Sequence, residues 1–261
     1  MDSFFAFKKN KSVKEINQDN NYDCIEGRNL LDVYHAETIA EVMAILHQKC
    51  VNHDFSNLFI GDYLDLPTLT IDGVNYDNHR ILVSGFNLYY GVNDTNYLNH
   101  IVWTFKDVVL KKRMNDSDNN ADGYNSSELK TFLDEVFSPE LERAIGINLY
   151  PISKIDTNSR SSSFSLMTNI KAFVPHEYEI LGRSSREEAT MSIFTTWFPI
   201  YIRSKFYLNK KYNGIPCRYW LSGIPGAGTT GYYATKTNIT DAFIVNASNN
   251  DIGVSPAFCS C

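Results

Sequence analysis

The sequence predicts an α+β fold, with two or three helices set beside many short strands. Three observations lead there. Apolar residues recur at helical spacing in only two stretches, near 39–50 and 129–145. β-Branched and aromatic residues gather in short runs between turn residues from 58 onward. No strand–helix–strand alternation and no repeat of fixed period runs through the chain. Its 261 residues, 43% of them apolar, supply a sizeable core.

Residues 1–28 are polar and asparagine-rich, with Phe4, Phe5 and Phe7 as apolar anchors, and read as an arm. The clearest helix follows. Ile39, Val42, Met43 and Leu46 share a face, Thr38 and Glu41 have the spacing of a capping box, and the helix should end near Cys50. Such a face suits either packing on a core or docking onto a larger assembly. From Leu58 the texture turns to strand, at 69–73, 80–84 and 101–105, with Asp72-Gly73 as a hairpin turn. Residues 115–125 form a polar loop. Ser126 or Ser127 then caps a helix carrying Leu129, Phe132, Leu133 and Val136. Pro139 starts a second short helix ending near Gly146. Residues 147–181 read as short extended pieces with a serine-rich loop at 159–163. From Trp197 onward the pattern is strands and turns with no helix signal.

The formal net charge is −6, and the basic runs at 8–11, 111–113 and 210–211 are short and scattered. That pattern repels phosphate backbones, so no nucleic-acid partner is expected. No apolar run reaches the roughly 20 residues that cross a bilayer, and charge follows the first apolar residues, the reverse of a secretory signal. A protein made and kept in the cytoplasm, leaving only by lysis or assembly, is the expectation. The five cysteines, Cys24, Cys50, Cys217, Cys259 and Cys261, include no C-x-x-C pair. Cys259-Ser-Cys261 lacks the second pair a zinc site needs, so free thiols and no cofactor are expected.

Gly223-Ile-Pro-Gly-Ala-Gly228-Thr229-Thr230 has the glycine spacing of a phosphate loop, with Thr229 in place of the lysine. The following Gly231–Asn238 is rich in Tyr and Thr and favours a strand, whereas a phosphate site needs a helix there. The stretch reads as a wide connection between two strands. Asp118, Asn120, Asp122 and Gly123 match the first half of a calcium loop, but Glu128 stands eleventh instead of twelfth. The six histidines are dispersed and G-x-S-x-G is absent, so no catalytic constellation emerges. The aromatic load stands out, at 16 Tyr and 16 Phe. Tyr219, Trp220, Tyr232 and Tyr233 sit near Asn238, Asn246, Asn249 and Asn250. Rings and amides together suit a sugar or protein ligand, which makes Tyr219, Trp220, Tyr232, Tyr233, Asn246, Asn249 and Asn250 the candidate binding residues. The alternative is that the rings are core and the asparagines turns.

The end of the chain carries a resemblance. Tyr219-Trp220-Leu221-Ser222, a Gly/Ala-rich loop, Ala242-Phe243-Ile244-Val245 and Gly253-Val254-Ser255-Pro256-Ala257-Phe258-Cys259 resemble the ending of a poorly characterised family of phage and prophage domains. Ile60-Gly61-Asp62-Tyr63, Gly85-Phe86-Asn87, His100-Ile101, Met114-Asn115, Gly123-Tyr124 with Ser127, and Glu177–Gly182 fall in that family's order. The resemblance covers about 58–261 and sets 1–57 apart as an arm and docking helix. A more distant similarity is to C-type-lectin-like domains of the sulfatase-modifying type. It implies small twisted antiparallel sheets, two or three helices and long binding loops. Two departures matter. The family's arginines are Ser222 and Ser255 here, and the paired cysteines of formylglycine-generating enzymes have no match, so oxidase chemistry is not implied. The resemblance implies a non-enzymatic virion component at a tail, baseplate or head surface. Its partners would be other virion proteins and a host-surface glycan or protein, in a homo-oligomer set by the particle's symmetry. One rival is an enzyme acting on envelope carbohydrate, which needs two carboxylates facing a groove. Another is a cement protein with loops 223–231 and 246–252 buried against other subunits.

Overall fold

The computed structural model describes residues 27–92, 97–157, 164–182, 196–225, 231–235 and 242–261. The serine-rich loop, Cys24, Asn238 and most of the glycine loop lie outside them. In chain order the elements are α1 (Leu30–Tyr34), α2 (Ile39–Val51), β1 (Tyr63–Asp65), β2 (Leu69–Ile71), β3 (Val74–Tyr76), β4 (Arg80–Phe86), β5 (Ile101–Phe105) and β6 (Leu110–Lys111). Then come α3 (Glu128–Phe132), α4 (Ser138–Ile145), β7 (Ile152–Thr157), β8 (Phe164–Ile170), β9 (Ala172–Phe173), α5 (Glu177–Leu181) and α6 (Pro199–Arg203). The last are β10 (Lys211–Tyr212), β11 (Ile215–Pro216), β12 (Gly231–Thr235), β13 (Ala242–Asn246), β14 (Gly253–Val254) and β15 (Ala257–Ser260). The chain is thus a mixed α+β protein built on small antiparallel sheets.

The largest sheet has the order β1-β4-β5-β15-β9, antiparallel throughout. Ile81, Leu82 and Val83 on β4, and Ile101 through Phe105 on β5, are buried on both faces, so these strands read as unbroken apolar runs. β15 lies between β5 and β9, pairing Ala257 with Thr104 on one side and with Phe173 on the other. Trp103 Nε1 donates to Ser260 Oγ at 2.8 Å, and the Trp103 ring stacks on Phe258.

Helix α2 forms where the capping signal places it, with Thr38 Oγ1 accepting from Glu41 N at 3.2 Å. Its apolar face is spent internally, because Val42, Met43, Leu46 and Cys50 are buried in the shared core. Arg28 pairs with Asp62 at 2.7 Å, and Asn29 bridges to Tyr63. Residues 27–57, expected as an arm and docking helix, thus pack on the same core as the strands, and residues 1–26 of the expected arm lie outside the described residues.

Pro139 stands in the first turn of a second short helix, α4, as expected, but no break separates α4 from α3. A proline ring crowds the carbonyl four residues back and offers no N–H. Here α3 passes through a π turn at Leu133–Phe137 into α4, and Ser138 Oγ donates to Leu133 O at 2.7 Å. Gly146 ends the run with φ 74°, and a Cβ there would lie 2.8 Å from that of Ala40 on α2. Two helices lie where extended chain was expected. α5 is capped by His176, whose Nδ1 accepts from Tyr178 N while Glu179 accepts from His176 N. α6 opens on Pro199. At Gly231 a strand begins, as expected, and pairs with β13 from Gly231↔Asn246 to Thr235↔Ala242. Residues 218–222, which precede the glycine loop, pair through isolated bridges from Tyr219 to Gly253 and from Trp220 to Ala234.

His100 links this core to pH. It is fully buried, its Nδ1 donating to Leu98 O at 3.1 Å and its Nε2 accepting from Tyr89 N at 3.2 Å. A second proton would face that N–H. Burial pushes its pKa down to about 4 from 6.5. The unfolded chain takes up a proton at 6.5 that the native state refuses until 4, so stability falls as pH drops through this window. By pH 5 the loss from His100 should be about 2 kcal/mol, with His79, also lowered by burial, adding in the same direction. Urea denaturation at pH 7.5 and pH 5 measures it, and His100→Gln should remove most of the difference.

Candidate functional site

The predicted binding residues divide by burial. Tyr219, Trp220 and Tyr232 are wholly buried and Tyr233 is nearly so. Tyr219 OH donates to Leu208 O at 3.3 Å, and Trp220 Nε1 to Lys112 O at 2.7 Å. These rings do not form an exposed face. Their large apolar areas stabilise the core, and the polar edges of Tyr219 and Trp220 are satisfied inside it. Asn246 is exposed and donates from Nδ2 to Asp118 Oδ2 at 2.9 Å. Asn249 accepts from Asp251 N at 2.8 Å, closing a turn. Asn250 is exposed. The structure therefore brings Asn246, Asn249 and Asn250 together on one turn, apart from the ring core. It also sets Tyr232 at the back of a cleft.

That cleft encloses about 160 Å³. Asn115, Ser117, Asn119, Asn120, Asp122, Ser126 and Glu128 line it, with Tyr232 as its floor. The loop asparagines build the wall. Asn115 accepts from Glu128 N at 3.0 Å and donates to Asn119 O at 2.6 Å. Asn119 Oδ1 accepts from Ala121 N at 3.0 Å. Buried Asn120 donates to Gly231 O at 2.6 Å, tying the loop to the strand that carries Tyr232. Asp118 turns outward and grips the turn after β13, accepting from Ser248 N at 3.1 Å and Ser248 Oγ at 2.6 Å. These bonds hold its carboxyl below the usual range. The side chains a calcium loop would use at its first and third positions are thus committed to β12 and to Asn246 and Ser248. Among the described residues no group of three or more His, Cys, Asp or Glu side chains is arranged to hold a metal ion. Ser117, Asp122, Ser126 and Glu128 are exposed, and among the described residues their side chains find no hydrogen-bond partner. The cleft is shaped in advance and keeps four hydrogen-bonding groups for a visitor.

A second polar cluster escaped the sequence reading. Lys154 Nζ lies 3.0 Å from Glu179 Oε2 and 3.2 Å from Asp156 Oδ2, all three groups wholly buried. Tyr89 OH donates to Glu179 Oε1 at 2.7 Å, and Ser222 Oγ donates to Asp156 Oδ2 at 2.6 Å. The Phe173 ring lies 4.7 Å from the ammonium. Burial opposes the charge on Lys154, but the two carboxylates outweigh it and hold its pKa above the ordinary lysine value. The one local signal is that a Lys and an Asp two apart on a strand share a face. The cluster joins β7, α5 and Ser222, which lead respectively into residues 158–163, 183–195 and 226–230. It is a clamp on the stems of three connections.

Lys154→Met should cost about 3–5 kcal/mol, because it leaves two carboxylates buried without their cation. The triple variant Lys154→Met, Asp156→Asn, Glu179→Gln should recover much of that in chemical denaturation. Asn120→Ala should cost about 1–2 kcal/mol, through a buried Gly231 carbonyl left without its donor. No protein-family model, no curated protein and no solved structure matches the chain.

Proposed function

We propose that the protein is a structural component of a phage or prophage particle, at a tail, baseplate or head surface, and that its folded body contacts a host-surface glycan. The observation that carries the recognition half is the cleft of the 115–128 loop. It is concave, walled by amides held in place, floored by a tyrosine, and supplied with unengaged hydroxyl and carboxylate groups. That is the composition a polyhydroxylated ligand requires. The order of short motifs along 58–261 supports the particle half. The β12-β13 ribbon, tied to the loop through Asn120 to Gly231 and Asp118 to Ser248, gives the cleft a fixed base.

A glycan microarray of bacterial envelope saccharides tests recognition with the purified full chain. Binding should be saturable, and the pair Ser117→Ala with Ser126→Ala should weaken it roughly tenfold without changing the melting temperature, on the scale of two lost hydrogen bonds. Unchanged binding would remove the cleft from recognition. Attachment is assigned to residues 1–26. Their deletion keeps the Arg28–Asp62 pair, so a folded body should remain that no longer enters particles; normal incorporation would end that assignment.

A second reading has one observation in its favour: Asp122 and Glu128 line the same tyrosine-floored cleft, as a carbohydrate-cleaving enzyme would need. Both carboxylates are exposed, whereas burial is what keeps a catalytic acid protonated, so binding is the better account. Release of reducing ends from an envelope glycan, lost in Glu128→Gln, would reverse that order.

A further inference from the structure

We propose that the 115–128 cleft selects hydroxylated ligands without negative charge and favours a sugar bearing a free amine, a hexosamine, over neutral and acidic sugars. The proposal rests on the reading of this cleft as a glycan site and adds the charge class of the ligand.

The argument begins with what lines the cavity. Among the described residues its two ionisable acids are Asp122 and Glu128, and no lysine or arginine lines it. The basic side chains nearest in sequence are engaged elsewhere. Arg113 pairs with Asp116, and Lys130 with Asp134. Lys112 sits over the Phe132 ring, 4.4 Å from its centre. The Asp118 carboxylate, which would add a third charge, is spent on Asn246 and Ser248. Among the described residues, two carboxylates therefore line the cleft without a counter-charge beside them, on a chain whose formal net charge is already −6. A ligand carboxylate or phosphate brought into the cleft meets repulsion and finds no cation. An ammonium meets two acceptors. The remaining lining, Ser117, Ser126 and the Asn115, Asn119 and Asn120 amide walls around Tyr232, is neutral and suits ring hydroxyls. The cavity, not the acids alone, makes this a site: about 160 Å³ lined in part by Tyr232, with its wall fixed by the Asn120–Gly231 bond.

Isothermal titration of the full chain with glucosamine, N-acetylglucosamine and glucuronate separates the possibilities. These share a ring and differ chiefly in charge. Glucosamine should bind roughly tenfold more tightly than glucuronate, with N-acetylglucosamine between them, as expected for partly exposed charges a few ångströms apart. Glu128→Gln and Asp122→Asn should each narrow the gap between glucosamine and N-acetylglucosamine, and 0.5 M salt should narrow it further. If all three sugars bind alike, the charge selection is wrong and the glycan reading stands. If glucuronate binds best, the selection is reversed and refuted. If none of the three binds, the selection and the glycan reading fall together.

Discussion

The insertion of β15 between β5 and β9 is the constraint on which the rest of the molecule depends. Four residues supply the partner for both neighbours, and without them the five-stranded sheet separates into a β1-β4-β5 piece and a lone β9. Ala257, Phe258 and Cys259 are wholly buried, and Trp103 hydrogen-bonds Ser260 across 157 residues of sequence. Closing so long a loop costs little more than closing one half its length, since the entropy grows only logarithmically. The penalty is kinetic instead: pairings this remote make folding slow. The helices and the smaller ribbons pack on a sheet that must first be completed from the far end of the chain.

Two buried lysines show how the same desolvation is met in two ways. Lys154 has carboxylates on two sides and keeps its proton well into the alkaline range. Lys210 has carbonyls, from Phe105 and from Lys106 at 3.3 Å, with the rings of Tyr201 and Tyr219 within 6 Å. Neutral acceptors compensate less than anions, and burial pulls the Lys210 pKa down to about 7 against the help of Asp107. Replacing a buried ion pair by apolar residues is often neutral or stabilising, so what the Lys154 cluster adds is one definite arrangement of β7, α5 and Ser222.

The legible parts of the fold were those long enough to show a period. Helix α2 spans 13 residues and announces both its cap and its buried face. α5 and α6 span five residues each, too short for any periodicity, and were read as extended. At Pro139 the start of α4 was legible, as was its end at Gly146; the π turn that joins it to α3 was not. The aromatic cluster near the end was visible, yet composition alone does not tell a buried ring from an exposed one. The polar 115–125 loop was found, and so was the spacing of Asp118, Asn120 and Asp122. What those side chains do was not, because Asn120 and Asp118 find their partners 111 and 130 residues away, beyond any local pattern. Lys154 and Glu179 escaped for the same reason: their attraction exists only after β7 and α5 meet.

Around the cleft, architecture and recognition fall to different side chains that alternate along one short stretch. Asn115, Asn119 and Asn120 carry the scaffold, while Ser117, Asp122, Ser126 and Glu128 carry none of it. Domain stability is a margin of only about 5–15 kcal/mol, which most substitutions erode. At these four positions a change of side chain alters the lining of the cleft while leaving that margin almost untouched. The opening can therefore be rewritten by substitution while the body that displays it stays constant.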